Sequence, residues 1–252
     1  MTGNFNFSDY TGKGVKVALI DSGVNPAHSH VERVSGGISF TLREGDEIIR
    51  GADYQDRIGH GTALAGIFRK KAPGVELYAV KIFDRTLRAH AKILEKAIEW
   101  ALEEGMKVIN LSLGTSNPIH EEPLRALCDE AESQKVLIIA SGFPGQRHSY
   151  PAVFPNVIGA AGDERCSWNS YFYMEGDPVP FRAHPQPRPI PGIPQERNFK
   201  GHSFASAHIG ALVTCLLERY PTADRAQVLD ILISNAARPS SEFPSTTMKS
   251  TS

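Results

Sequence analysis

The chain has 252 residues, of which 41% are hydrophobic, and a formal net charge of −1 at neutral pH. This length fits one large α/β domain or two small ones, and the near-balance of charge argues against a nucleic-acid-binding protein. No apolar run is long enough to span a bilayer, and the polar segment 1–9 lacks the apolar stretch of a signal peptide. Cys128, Cys166 and Cys215 are odd in number and widely spaced, which indicates reduced thiols. We therefore expect a cytoplasmic protein, although a trimmed secreted chain would look the same.

Five short, β-rich segments predict strands: 15–20, 77–82, 108–113, 136–140 and 157–161. Four of them are near-continuous apolar runs, and only 77–82 is more mixed. Such runs are typical of parallel strands that are covered on both faces.

Apolar periodicity between these segments predicts helices. The clearest is 89–104, which carries one apolar stripe and is followed by Gly105 as a stop. A second helix is predicted over 122–134, and the apolar stretch 203–220 predicts a core helix. The alternation of strands and helices predicts an α/β fold, a three-layer doubly wound mostly parallel sheet with helices on both faces. Ligands of such sheets bind beyond the carboxyl ends of the strands.

The chain divides into an N-terminal extension over 1–13, one domain over 14–238 and a flexible Ser/Thr/Pro-rich tail over 239–252. Within the domain, 162–200 is rich in proline and has little periodicity, which favours extended or turn structure over helix. A segment of that length is either functional or disordered. We expect it either to border a substrate cleft or to form a mobile surface loop.

Three motifs far apart in the chain place an Asp, a His and a Ser at the ends of elements. Asp21 ends the first apolar run, His60 follows a glycine, and Ser203 opens an Ala-rich stretch. Peptide hydrolysis by a hydroxyl needs a nucleophile, a base that takes its proton, and a carboxylate that holds the base in one tautomer. Taken alone, Asp21 could be a turn residue or cap, His60 a core histidine and Ser203 an N-cap. Together they favour the catalytic interpretation.

In these contexts the chain resembles the subtilisin-like serine proteases, or subtilases. Segments 17–23, 59–66 and 201–208 are similar to the aspartate, histidine and serine motifs of that family, and 108–114 and 150–152 are similar to two further landmarks. The resemblance covers most of the chain and implies the subtilisin-like fold.

The resemblance also implies a role for each residue of the three motifs. Ser203 attacks the scissile carbonyl, His60 accepts its proton and returns it to the leaving amine, and Asp21 holds His60 and stabilises its charged form. The main-chain N–H of Ser203, at a helix N-terminus, can bind the developing oxyanion. Neither a cofactor nor a metal is implied.

Phe143 departs from the family pattern. It stands where the family places an Asn whose side chain donates to the oxyanion, and Phe cannot donate. Loss of that donor in subtilisin itself costs about 10²–10³ in turnover. His202 likewise replaces a typical Thr before the nucleophile. We expect either a replacement donor from His202, Gln146 or Asn169, reliance on the N–H of Ser203 alone, or low activity.

By the same resemblance, two strand ends flank the pocket for the side chain before the cleaved bond. These substrate-binding residues are Ser112, Leu113, Gly114, Ser141 and Gly142, with Ser149 near the pocket floor. An extended substrate would pair with these edges as an added strand.

His28 and His30 lie close enough in sequence to suggest a metal pair. The family usually has a His at the first of these positions, but Ser29 and His30 replace the Pro and Asp that follow it. A surface or core role is therefore favoured over metal binding, and no acidic cluster resembles a calcium loop.

The sequence thus predicts a serine endopeptidase that acts on a peptide or protein substrate, with no nucleic-acid or membrane partner. Because neither a signal peptide nor a chaperone-like propeptide is seen before residue 14, a role in processing a precursor inside the cell is expected. Two alternatives stay open. Phe143 suggests a catalytically weak peptide-binding pseudo-protease, and the same acyl-enzyme would also serve a peptide ligase or cyclase.

Overall fold

One sheet runs through the computed structural model, which describes residues 5–43 and 47–239 and contains nine strands in that part of the chain. They are β1 (Lys16–Asp21), β2 (Gly36–Leu42), β3 (Ile48–Gly51), β4 (Glu76–Lys81), β5 (Val108–Leu111), β6 (Leu137–Ser141), β7 (Ile158–Gly162), β8 (Tyr171–Tyr173) and β9 (Phe181–Ala183). From residue 240 onwards, the predicted flexible tail lies outside the described residues.

The strands lie in the order β3-β2-β4-β1-β5-β6-β7-β9-β8. Neighbouring strands are parallel except in the two edge pairs, β2–β3 and β8–β9. The chain adds strands on one side of β1 up to β4 and on the other side from β5 onwards. The order therefore reverses between β1 and β5, and a crevice for ligands forms beyond the carboxyl ends of strands at such a reversal. Asp21 ends β1, and Ser112 directly follows β5.

Helices cover both faces of the sheet. Those in the described residues are α1 (His60–Lys71), α2 (Ala91–Glu103), α3 (Glu121–Ser133), α4 (His202–Arg219) and α5 (Arg225–Ser234). Val17 and Leu19 of β1 pack in one core with α1, α4 and α5, whereas Ala18 and Ile20 pack in a second core with α2 and α3. Alternate residues of a strand point to opposite faces. The predicted three-layer, mostly parallel α/β fold is confirmed.

Helix α4 lies close against β5, and its approach depends on one glycine. A Cβ on Gly210 would lie 2.7 Å from the side-chain oxygen of Asn110, which is on β5. This close packing fixes where the start of α4, and with it Ser203, lies relative to the end of β5.

All five predicted strands and three predicted helices are confirmed, with ends that move by one or two residues. The surface-loop interpretation of 162–200 is wrong for its central part, because β8 and β9 extend the sheet there. Each of these strands is only three residues long, too short to show a periodic pattern.

The predicted N-terminal extension packs against the C-terminal part of the chain in its described residues. The N–H of Phe5 donates to Asn235 Oδ1 at 3.0 Å. The Glu218 carboxylate accepts the N–H groups of Thr11 and Gly12 at 2.6 and 2.7 Å. Across the described ranges, no helix combines the length and the apolar character needed to cross a membrane.

Candidate active site

Asp21 is the last residue of β1, and its side chain is fully buried. Its Oδ1 accepts hydrogen bonds from the main-chain N–H of Ser22 at 2.7 Å and from Nδ1 of His60 at 2.8 Å. Its Oδ2 has no hydrogen-bond partner among the described residues. A buried carboxylate is costly unless it is paired. In this site, Asp21 is therefore paired with His60.

His60 is the first residue of α1, and its ring is buried. Burial by itself lowers the pKa of His60, but the charge of Asp21, the hydrogen bond to it and the charge of Asp56 together outweigh burial. The pKa of His60 therefore lies above its usual value of 6.5. Because Nδ1 donates to Asp21, the neutral ring keeps a free lone pair on Nε2, which can accept a proton.

Two glycines allow His60 to reach Asp21. Gly59 precedes α1 with a φ of 93°, a left-handed conformation that side chains disfavour. A Cβ on Gly61 would lie 2.1 Å from the main-chain oxygen of Gly23. The first turn of α1 can therefore approach the loop after β1 only with glycine at position 61.

Asp56 fixes the start of α1, although it was not among the site residues predicted from the sequence. Its Oδ1 accepts the N–H groups of Ile58 and Gly59 at 2.9 and 2.8 Å. Its Oδ2 accepts the N–H and the hydroxyl of Thr62 at 2.9 and 2.6 Å. An acidic residue just before a helix stabilises its N-terminus. Its position four residues before His60 is the signal that could have identified it.

Ser203 is the second residue of α4 and is half-buried. Its hydroxyl donates to the main-chain oxygen of Ser112 at 2.9 Å, and the Ser112 hydroxyl donates to the main-chain oxygen of Ser203 at 3.3 Å. The next residue, Phe204, contacts the ring of His60 with 5.3 Å between ring centroids. Ser203 therefore precedes a residue that contacts the His60 ring, and the N–H of Ser203 has no acceptor within its own helix.

His202 lies against Phe143, with 5.1 Å between ring centroids. The main-chain N–H of Gly162 donates to Nδ1 of His202 at 3.0 Å. A ring nitrogen that accepts a hydrogen bond carries no proton, so the proton of the neutral ring is on Nε2. Burial, and then the charge of Arg182, lowers the pKa of His202. The ring is therefore neutral at pH 7, with Nε2 as a donor.

The other two donors considered at the Phe143 position are placed differently. The N–H of Gln146 donates to the main-chain oxygen of Phe143 at 3.2 Å, so Gln146 stays close to it. Asn169 follows Trp168, whose main-chain oxygen accepts from Lys71 at the opposite end of α1 from His60. No described contact joins Asn169 to the site.

The strand ends expected to bind substrate lie side by side. A Cβ on Gly114 would lie 2.8 Å from the main-chain oxygen of Tyr150 and 3.5 Å from that of Ser141. Ser149 is buried, and its hydroxyl accepts the N–H of Phe143 at 3.3 Å. The structure therefore brings together the residues of the two strand ends, Ser112, Leu113, Gly114, Ser141 and Gly142, and places Ser149 beside them.

A pocket of about 380 Å³ opens beside Leu113 and Gly114. Most of its wall is apolar, with Phe83, Leu87, Leu94 and Leu124. No local sequence pattern indicates this pocket, because its residues come from separate loops and helices. Leu87, which is 47% exposed, is the visible sign of an apolar surface there.

His28 and His30 follow β1, with 5.0 Å between their ring centroids. The N–H of His30 donates to Nδ1 of His28 at 3.1 Å. In the part of the chain that the structure describes, no group of three or more His, Cys, Asp or Glu side chains is placed to hold a metal ion.

Comparison with known proteins identifies the family of this chain. The sequence model of the Subtilase family matches residues 12–249. The chain belongs to the subtilase family. This membership makes it a serine-type peptidase by class, as the sequence motifs predicted.

Individual subtilases agree with this placement. Subtilisin from Bacillus pumilus is 32% identical over 257 residues, which cover 93% of this chain and 88% of that protein. Subtilisin E from Bacillus subtilis (strain 168) is also 32% identical, over 90% of this chain but only 61% of its own length.

Solved structures support the fold. A cold-adapted subtilisin-like serine proteinase superimposes with a TM-score of 0.71 at 18% identity, covering 93% of this chain and 87% of that one. Sphericase superimposes with a TM-score of 0.67 at 21% identity, covering 88% and 83%. At these identities the likeness concerns the fold alone.

Proposed function

We propose that this subtilase hydrolyses internal peptide bonds through an acyl-enzyme, with Ser203 as nucleophile, His60 as general base and Asp21 as the carboxylate that orients it. The proposal assigns this activity to the domain over 14–238. The observation that carries it is the 2.8 Å hydrogen bond between His60 Nδ1 and Asp21 Oδ1, next to Phe204, the residue that follows Ser203.

The chemistry follows from the tautomer of His60. Nε2 takes the Ser203 proton as the hydroxyl oxygen attacks the peptide carbonyl, and the imidazolium is stabilised by Asp21. Nε2 then gives that proton to the leaving amine, which frees the second half of the substrate. Water repeats the sequence on the acyl-enzyme and releases the first half.

The oxyanion needs donors, and two candidates adjoin the nucleophile. One is the main-chain N–H of Ser203 at the start of α4, where the helix dipole also favours negative charge. The other is Nε2–H of His202, whose proton position is set by the Gly162 contact at Nδ1. In this proposal His202 replaces the donor that Phe143 lacks.

The substrate would bind as an added strand along Ser112–Gly114 and Ser141–Gly142. A side chain upstream of the cleaved bond would enter the apolar pocket beside Leu113. Burial of apolar surface there favours substrates with a large apolar residue on the acyl side.

One observation favours a second candidate, a peptide-binding protein with weak turnover. Phe143 is 41% exposed and sits where a side-chain donor is expected. If His202 does not donate, the oxyanion has one side-chain donor fewer than in subtilisin. Peptides would then bind in the same cleft and be cleaved slowly.

We further propose that the enzyme processes a peptide or protein precursor in the cytoplasm. The support is that Cys128, Cys166 and Cys215 are all free and buried, with no disulfide among them. One relative bears the name minor extracellular protease Epr, so the compartment needs its own test. Cell fractionation with an antibody against the chain would locate it.

The test of function is mass spectrometry of a proteome-derived peptide library after incubation with the wild type and with Ser203→Ala. New termini that appear only with the wild type, and carry apolar residues on the acyl side, are the expected result. Joined peptides would identify a ligase, and unchanged peptides would favour the alternative of a peptide-binding protein.

A further inference from the structure

A second pocket, of about 200 Å³, opens beside the start of α1. Its wall includes Gly59, the residue before His60, and Phe199, whose ring meets the His60 ring edge-on with 5.8 Å between centroids. None of the substrate-binding strand-end residues lines it. The general acid must reach the leaving nitrogen, so the segment that leaves starts beside His60.

The charge in this pocket comes from Arg188. Its Nη1 donates to the main-chain oxygen of His30 at 3.2 Å, and no carboxylate of the described residues forms an ion pair with it. Its main-chain oxygen accepts from Asn198 at 3.0 Å, which holds this part of the chain in place. An arginine keeps its charge at every pH relevant to a protein.

None of the other titratable groups on the wall forms an ion pair with Arg188. Asp56 is the acidic residue there, and both of its oxygens already accept hydrogen bonds from Ile58, Gly59 and Thr62. Burial, then the charges of Arg188 and His28, lowers the pKa of His30, so His30 is neutral at pH 7. Arg188 is therefore a cation on the pocket wall that no carboxylate of the described residues contacts directly.

The position of the Arg188 side chain also indicates its distance from the cleaved bond. Its Cδ would lie 3.7 Å from a Cβ on Gly66, six residues along α1 from His60. Six helical residues span about 9 Å, and an extended peptide covers about that distance in three residues.

We infer that this pocket binds a carboxylate of the leaving segment, at about the second or third residue after the cleaved bond. Planar guanidinium groups bind carboxylates through paired hydrogen bonds. The carboxylate is either an Asp or Glu side chain or the C-terminus of a short substrate. This inference rests on the proposed peptidase function, because it defines the leaving side by the role of His60.

The test uses internally quenched peptides that are identical except at one position. Asp, Asn or Lys is placed in turn at the first four positions after the bond, and a second set ends in a free carboxylate or a carboxamide there. The enzymes are the wild type, Arg188→Gln, Arg188→Lys and, as a matched control, Arg197→Gln, which removes an exposed arginine from the same segment. Thermal unfolding confirms that each variant is folded.

We expect the wild type to prefer Asp over Asn at the second or third position by about tenfold in kcat/KM, the size of a charged hydrogen bond. Arg188→Gln should reduce that ratio to about one. Arg188→Lys should keep only part of it, because a lysine keeps the charge but not the paired hydrogen bonds, and Arg197→Gln should keep most of it. A preference only in the second peptide set would identify the C-terminus as the carboxylate. The absence of a preference for the carboxylate in both peptide sets, or a preference that survives in Arg188→Gln, would overturn the inference.

A separate measurement keeps the inference distinct from the proposed function. In Ser203→Ala, fluorescence anisotropy measures binding of product-like peptides that carry Asp or Asn at the second and third positions. Tighter binding of the Asp peptide, lost on adding Arg188→Gln, supports the pocket even if no peptide is cleaved. If Ser203→Ala and Ser203→Ala/Arg188→Gln bind the Asp peptide equally well, this counts against the pocket even if Ser203 proves to be the nucleophile.

Discussion

The hydroxyl of Ser203 donates a 2.9 Å hydrogen bond to the main-chain oxygen of Ser112, at the end of β5. In the proposed mechanism, the proton that His60 accepts is thus held by a strand-end carbonyl. That carbonyl is also what an added substrate strand would use to accept a peptide N–H. We propose that a bound substrate displaces the Ser203 hydroxyl, which then turns towards His60 by rotation about one side-chain bond.

This relationship predicts that one substrate N–H matters for turnover. N-methylation of the residue just before the cleaved bond removes the group that competes for the Ser112 oxygen. We expect kcat/KM to fall by at least about tenfold, since a buried acceptor loses its partner. The matched control is a peptide methylated one residue further upstream, where the N–H points the other way along an extended strand. Equal losses in both peptides would contradict the idea.

The raised pKa of His60 predicts how kcat/KM falls as the pH drops. Burial opposes the protonated form, but Asp21 and Asp56 outweigh it, so His60 stays protonated at a pH above its usual 6.5. A protonated His60 cannot act as a base. We therefore expect kcat/KM to fall as pH drops, with a midpoint above about 6.5, because this ratio reports the free enzyme. A flat profile, or a midpoint below that value, would count against His60 as the base.

Phe143→Asn tests the oxyanion site. If the only missing donor is the side chain at this position, kcat should rise, by up to the ~10²–10³ that the corresponding donor contributes in subtilisin itself. If His202 already donates, the gain should be small, and His202→Ala should lower kcat while leaving KM nearly unchanged. In the double variant, the new Asn should then restore much of the loss. If Phe143→Asn and His202→Ala lowered KM without changing kcat, Phe143 and His202 would both be assigned to packing.

His208 predicts a loss of stability in acid. Burial, then the charge of Lys71, holds the pKa of His208 well below its usual value, and its Nδ1 has no partner among the described residues. The unfolded chain takes up this proton near pH 6.5 while the folded chain does not, so stability falls as pH drops below that value, by up to about 1.4 kcal/mol per pH unit. Urea unfolding at about pH 7.5 and about pH 5 should show a smaller difference for His208→Gln.

Ser203→Ala is the background for this experiment, because it prevents self-digestion. His148→Gln is the matched control, since His148 is exposed. His60 has the opposite effect on the pH dependence of stability. Its raised pKa adds stability below pH 6.5, and this stability is lost as the pH rises through the pKa of His60 in the folded state. If His208→Gln leaves the pH dependence unchanged, the buried histidine is not its cause.

The central strands were predictable because a parallel sheet covered on both faces needs unbroken apolar runs, such as 15–20 and 157–161. Helix α1 was not predicted as a helix, because Gly61 and Gly66 lower its propensity and its stability comes from packing. Helix α5 was not predicted either, although the capping box of Asp224 and Gln227 is a sequence pattern that indicates its start.

The candidate site divides in the same way. Asp21, His60 and Ser203 were identifiable because their motifs carry chemistry that few other arrangements need. Asp56 and Arg188 were not, because their roles depend on which loops meet in space. The neutral tautomer of His202 depends on one N–H, that of Gly162, which no local pattern encodes.

The most direct test of the account is covalent labelling of Ser203 by a fluorophosphonate probe, followed by peptide mapping. We expect rapid labelling of Ser203 in the wild type, none in Ser203→Ala, and strongly slowed labelling in His60→Ala and Asp21→Asn. The double variant His60→Ala/Asp21→Asn should be hardly slower than His60→Ala alone, because the residues act as one unit. Labelling of another residue, or labelling of Ser203 at the same rate in His60→Ala, would contradict the proposed triad.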